Sequence, residues 1–287
     1  MQKIGNITST ADANGEWTNG NVAAGTAPTI LDAAWLNTVQ RELANVVLAA
    51  GLTLDPTNDA QLLAGLKLLT GPGRLLNIQD FSASGTYTPF PGTKFIIVEV
   101  TAGGGPGGST PATGATQVAA GAGGGAGGTA ISKLLISAIT STVAVTVGVG
   151  GVANTSTTGT SGGASSFGSY LSASGGAFSA NATVVTQGDN QLTYNGGGGD
   201  GTSGNMDNIR GGCGVAGFVL KYGYESGEGG RSYHCAGGPS IITLGSNTPG
   251  IAGRRGSGGS GAFAGNNASA LLGGNGGAGF VRIWEYA

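Results

Sequence analysis

Charge is scarce in this 287-residue chain. Asp, Glu, Lys and Arg together make up 9% of it, and 12 basic against 14 acidic residues leave a formal net charge of −2. So thin a scatter forms no basic face, which argues against a nucleic-acid partner. Histidine occurs once, at His234, and cysteine twice, at Cys213 and Cys235. A zinc site wants four ligands in paired spacings and a secreted disulfide framework wants more cysteines, so neither is expected. The two cysteines can form one bridge or stand as free buried thiols, and free thiols are the default expectation. Long apolar runs are missing too, every candidate being broken by Gly, Ser or Thr. The N-terminus, MQKIGNITSTADANGEW, has no apolar h-region, so neither membrane insertion nor classical secretion is expected.

Catalytic signatures are equally sparse. There is no GxxxxGK(S/T) phosphate loop, and no glycine block both follows a strand and opens a recognisable helix. A lone histidine in an Arg-Ser-Tyr-His loop is a poor basis for a hydrolytic triad. Glu225 and Glu228 are the only close acid pair in the glycine-rich half and read as a solvated loop. The expectation is a protein that is not an enzyme and uses no cofactor or metal.

Glycine is what the chain has in excess, at 61 positions. Blocks recur from GGGPGG (103–108) through GAGGGAGG (121–128), GGGG (196–199), GGCG (211–214) and GSGGSG (256–261) to GGNGGAG (273–279). Ordering glycine costs backbone entropy and adds no side chain to a core, so something must offset that cost. Short apolar β-type runs stand between the blocks and can form a sheet scaffold from which the glycine segments hang.

The chain divides at about residue 75. Residues 1 to about 28 form a polar arm with two Asn-Gly turns and one large apolar side chain, Trp17, as its anchor. A helix follows: Asp32 is its N-cap, Leu36, Val39, Leu43, Val46 and Ala50 fall on one stripe, and Gly51 is the stop. A second amphipathic segment, capped by Thr57 or Asn58, carries Leu62, Leu63, Leu66 and Leu69 on one side. Two such helices enclose little core alone, so their leucine faces point to packing against copies of themselves. From Leu75 the pattern turns to strands: LLNIQDF, an apolar run from Lys94 to Thr101, ISKLLIS and STVAVTV separated by a turn around residues 138–141, a pair within GGASSFGSYLSASGGAF, and the terminal GFVRIWEYA. This spacing fits an antiparallel β sandwich with long glycine-rich insertions.

Residues 1–70, with MQKIG, ADANGEWTNGNV, PTILDAAWLNTVQRELANVV and QLLAGLKLL, resemble the N-terminal module of tail fibre proteins of tailed bacteriophages and prophages. Residues 80–287, with FSASGTYT, FIIVEVTAGGG, GAGGGAGG, TVAVTVGVGG, GGASSFG and GFVRIWEY, resemble the glycine-rich β domain of phage tail proteins and of some receptor kinases. The resemblance implies a mainly β fold: a small N-terminal helical attachment and trimerisation module (1–75), then a jelly-roll-like β sandwich with glycine-rich, partly polyglycine II loops (76–287). A strict Gly-Gly-X repeat is absent, which favours several short polyglycine segments of different length. It also implies a homotrimer in the virion, with a baseplate or fibre-hub protein as partner at one end. The partner at the other end is a bacterial glycan, pilus or outer-membrane protein.

The attachment and oligomerisation candidates are Trp17, Trp35, Leu36, Val39, Leu43, Val46, Leu62, Leu66 and Leu69. For receptor binding, the stretch FVLKYGYESGEGGRSYHC (218–235) concentrates aromatic and charged side chains in a half that otherwise has few. Lys221, Tyr222, Tyr224, Arg231, Tyr233 and His234 are its candidates, with Tyr194 and Arg210 extending the surface from neighbouring loops. The competing reading is that one or two of these tyrosines plug the end of the sandwich. A purely structural glycine-rich spacer is the alternative function, and a depolymerase ranks third.

Overall fold

The computed structural model describes every residue except 1, 72, 140, 141, 222 and 243–246. Its two compact units, Met1–Arg74 and Leu75–Ala287, are treated separately.

The first unit is an irregular arm and two helices. Helix α1 spans Ala33–Ala49, and the Asp32 carboxylate accepts from the Ala34 N–H at its start, meeting one of the orphan donors of the first turn. Gly51 then takes a left-handed φ of +76° just past the helix end. Helix α2, Gln61–Thr70, begins later than its expected cap. Asp55 and Asn58 accept from the N–H groups of Thr57 and Ala60, making local turns, and no side chain caps the helix itself. Gly65 brings the helices together, since a Cβ there would lie 3.4 Å from the Val46 carbonyl oxygen. Trp17 packs edge-on to Trp35 at 5.3 Å, and the Trp35 indole donates to the Gln2 carbonyl. Among the described apolar side chains of this unit only Ile4 and Val47 are buried.

The second unit is mainly β, with several antiparallel sheets. One five-stranded sheet has the order Leu75–Phe81, Phe280–Tyr286, Phe95–Thr101, Thr129–Leu135, Asp207–Ile209. A second runs Gly201–Thr202, Leu171–Ala173, Ser165–Phe167, Val143–Thr146, Gly85–Tyr87. The two share one core: Ile96, Val98, Val100, Val281 and Ile283 from the first meet Tyr87, Val143, Val145, Phe167 and Leu171 from the second. Period-2 alternation produces this, because Ile96, Val98 and Val100 point inward while Phe95, Ile97 and Glu99 take the other face. Burying each large side chain contributes about 1.5–3 kcal/mol. The runs ISKLLIS and STVAVTV each contribute a strand, and residues 140 and 141 of the turn expected between them lie outside the described residues. The two strands belong to different sheets, joined through a 3₁₀ turn at Ile136–Ala138.

Strands of both sheets continue directly into glycine segments, which pack side by side. Residues 121–128 lie at the centre. Gly121, Gly124 and Gly127 donate to the carbonyls of Ala262, Gly259 and Gly256 at 2.8–2.9 Å. Gly123 and Ala126 donate to Val215 and Gly212, while Gly125 and Gly128 donate to Ala177 and Ser174. Their carbonyls accept from three further segments: 102–108, 196–199 and 227–230. Every third residue addresses the same neighbour, so the segment turns once per three residues and is ringed by six others among the described residues. Only glycine permits this approach at the contacts, since a Cβ on Gly123 would lie 1.8 Å from the Glu228 carbonyl oxygen. The segments are short and unequal, as expected, yet they form one continuous array. Backbone hydrogen bonds between segments take the place of side-chain packing.

Candidate functional site

The strands of the two large sheets enter the array at one end, where two turns also join segments, and the remaining connections lie at the other. That far end has its own small sheets: Gln191–Thr193, Gly217–Leu220 and Gly223–Glu225 in one, and Phe263–Ala264, Gln117–Ala120 and Val185–Thr186 in the other. Val118, Val219, Tyr224, Ile241 and Phe263 form a buried cluster between them.

The array divides the eight receptor-binding candidates. Tyr194 follows Gln191–Thr193, and Lys221 lies in the hairpin between Gly217–Leu220 and Gly223–Glu225, so both belong to the far end. Tyr222 lies outside the described residues. Tyr224 is also at this end but not on its surface: its ring stacks on Phe263 at 5.9 Å within the buried cluster. It holds the hairpin down at the far end of the array, not at the end of the sandwich where the plugging alternative put it. From Glu225 the chain returns through the array, Gly227 and Gly230 donating to Gly121 and Gly124. This carries the chain to the sheets, where the Ser232 hydroxyl donates to the Arg255 carbonyl and His234 meets Glu99 and Phe280. Arg231, Tyr233 and His234 therefore stand at the sheet end, as does Arg210, which follows the strand Asp207–Ile209 and pairs with Asp200 at 3.5 Å.

The far-end surface joins Tyr194, which was expected, to Leu192, Phe218 and Leu220, which were not. Register places Leu192 opposite Phe218, and Phe218 opposite Glu225, on the face turned away from Val219 and Tyr224. Leu192 is 61% exposed and Tyr194, two residues on and on the same face, is 75% exposed. Leu220 is exposed beside the half-buried Phe218. Alternation in Gln-Leu-Thr-Tyr marks Leu192 and Tyr194 as one face, whereas the continuous apolar run Phe218–Leu220 gives no such signal.

At the sheet end the side chains are locked together. His234 Nε2 lies against Glu99 Oε1, and neither of these buried atoms has a hydrogen-bond partner among the described residues. Arg282, beside Glu99 in the sheet register, chelates Asp80 with bonds of 2.7 and 2.6 Å. That hydrogen-bonded guanidinium holds the Asp80 carboxyl below the usual carboxylate range and in turn raises Arg282. Both cysteines are free, but Cys213 is exposed and Cys235 half-buried, so neither is the inert buried thiol expected. Among the described residues no His, Cys, Asp or Glu group is arranged to hold a metal, and no helix is long and apolar enough to cross a membrane.

In the first unit, Leu36, Leu43, Leu66, Leu69 and Trp17 are exposed, and Trp35, Val39, Val46 and Leu62 are half-buried. A groove of about 600 Å³ between α1 and α2 is lined by Leu43, Val47, Leu54 and Leu62.

The family model described as a glycine-rich domain matches residues 81–286, and the chain belongs to that family. No curated protein sequence matches it.

Proposed function

We propose that the chain is a short tail fibre or receptor-binding protein of a tailed bacteriophage or prophage. Residues 1–75 trimerise it and join it to a baseplate or fibre-hub protein in the virion. The far end of the glycine array meets a bacterial surface structure. In this reading the array segments are polyglycine II helices mounted on a jelly-roll-like sandwich, and the three-residue hydrogen-bond step with six-fold surrounding supports it. The observation that carries the reading is the Leu192, Tyr194, Phe218 and Leu220 face, an apolar surface held away from the main core on a rigid mount. A mount whose contacts are backbone to backbone lets tip sequences change without disturbing it. The near-absence of a private core in the first unit supports association of copies there.

The test exchanges residues 189–195 together with 217–225 for the corresponding tips of a relative. Host adsorption changes while native mass stays the same. Adsorption indifferent to the exchange leaves the chain as a structural spacer.

A further inference from the structure

Two turns close the array at its sheet end, 231–236 and 254–257, and they touch: the Ser232 hydroxyl donates to the Arg255 carbonyl at 2.8 Å. Three arginines stand on them, Arg231, Arg254 and Arg255, all exposed. None of the three forms an ion pair among the described residues: Asp80 is chelated by Arg282 and feels Arg255 only at longer range, and Glu99 lies against His234. In a chain with 12 basic residues in total, three unpaired guanidinium groups on adjoining turns are a local concentration of positive charge. Arg255 is held there against backbone preference. Its φ is +42°, a left-handed conformation that suits glycine, in a chain that uses glycine at 61 positions. Its guanidinium lies over the Phe280 ring, 5.1 Å from the centroid, with Arg282 at 5.2 Å from the same ring. The aromatic surface fixes the cation without neutralising it. Beside them Tyr233 presents a half-exposed ring, 5.1 Å from the pinned imidazole of His234, at a cavity of about 330 Å³ that Arg231 also lines.

We infer that these turns form a second binding site, for an acidic saccharide whose oxyanion lies between Arg231 and Arg255 and whose ring lies on Tyr233. Guanidinium groups suit the planar, multidentate acceptors of carboxylates and phosphates. A tyrosine ring offers an apolar face with a polar edge, which matches a sugar. The site lies at the sheet end of the array and owes nothing to the tip residues. It therefore stands independently of the tail-fibre reading.

Calorimetric titration of the whole protein tests it with three probes: a galacturonate trisaccharide, mannose 6-phosphate and neutral maltotriose. Saturable binding of either acidic probe, stronger at low salt and absent for maltotriose, supports the site. Carboxylate-only or phosphate-only binding names which oxyanion it takes. Arg255→Gly suits the turn's backbone, so it removes the charge without a folding penalty. Combined with Arg231→Ala it weakens binding about tenfold or more, whereas Leu192→Ser with Tyr194→Ser leaves it unchanged. Failure of both acidic probes to bind, or undiminished binding by the arginine variant with an unaltered melting temperature, overturns the site. Neither result bears on host adsorption, which the tip exchange measures separately.

Discussion

The Tyr87 hydroxyl donates to Glu285 Oε1 at 2.8 Å, and both residues are fully buried. The same carboxylate accepts from the Phe90 N–H and from the side-chain amides of Asn77 and Gln79. A buried charge is tolerable only when its lone pairs are met in this way. The cluster ties the last strand to the first strand and to the turn after residue 87, closing the sheet that carries the glycine array.

Tyr87→Phe removes one donor and leaves the others, so a loss of about 1.5–3 kcal/mol in unfolding free energy is expected from urea titration. The pH dependence gives an independent readout. Burial first, then the bond to Glu285, raises the Tyr87 phenol above its ordinary value near 10. Below that value the neutral phenol contributes in full. As pH rises past 10 the unfolded chain ionises first and stability falls. The alkaline decline is shallower in Tyr87→Phe, and identical slopes would disprove this role.

Two glycines of touching segments separate close packing from chain entropy. A Cβ on Gly125 would meet the Gly197 carbonyl oxygen at 1.9 Å, while a Cβ on Gly197 meets nothing within 4 Å. Gly125→Ala is expected to cost more than about 3 kcal/mol or to prevent folding. Gly197→Ala, which also stiffens the unfolded chain, should be neutral or stabilise by up to about 1 kcal/mol. Equal effects on thermal melting would count against the packed array.

At the tip, Leu192→Ser with Tyr194→Ser should reduce adsorption to host cells at least about tenfold and shift unfolding by no more than about 1 kcal/mol, since both side chains face water. Tyr224→Ser behaves in the opposite order. It empties a place beside Phe263 and lowers the melting temperature before any effect on binding is read.

Local rules carried much of the fold. The Asp32 cap, the Gly51 stop and the alternation of Ile96, Val98 and Val100 each rest on residues a few positions apart, and the structure contains all three. Glu285 was opaque for the converse reason, its partners lying about 200 positions earlier in the chain. The stretch 218–235 was misleading as a single surface because its middle, through Gly227 and Gly230, runs inside the array and separates the hairpin 217–225 from the turn 231–236. Leu192 and Phe218 meet only through strand pairing, which no spacing along the chain discloses.

The helical unit makes the sharpest claim about assembly. Leu43 and Leu66 are both exposed, on α1 and α2, and the groove lined by Leu43, Val47, Leu54 and Leu62 lies open between the helices. Closing such a face in an assembly contributes about 1.5–3 kcal/mol for each leucine covered, repeated in every copy. Light scattering of the intact protein should give three times the chain mass. Leu43→Asp with Leu66→Asp should reduce that to one chain, because charge on a covered apolar face costs more than the contact it replaces. The glycine-rich unit keeps its own core, so the variant retains its β circular dichroism. A single-chain mass for the unaltered protein would remove the basis for a trimeric fibre.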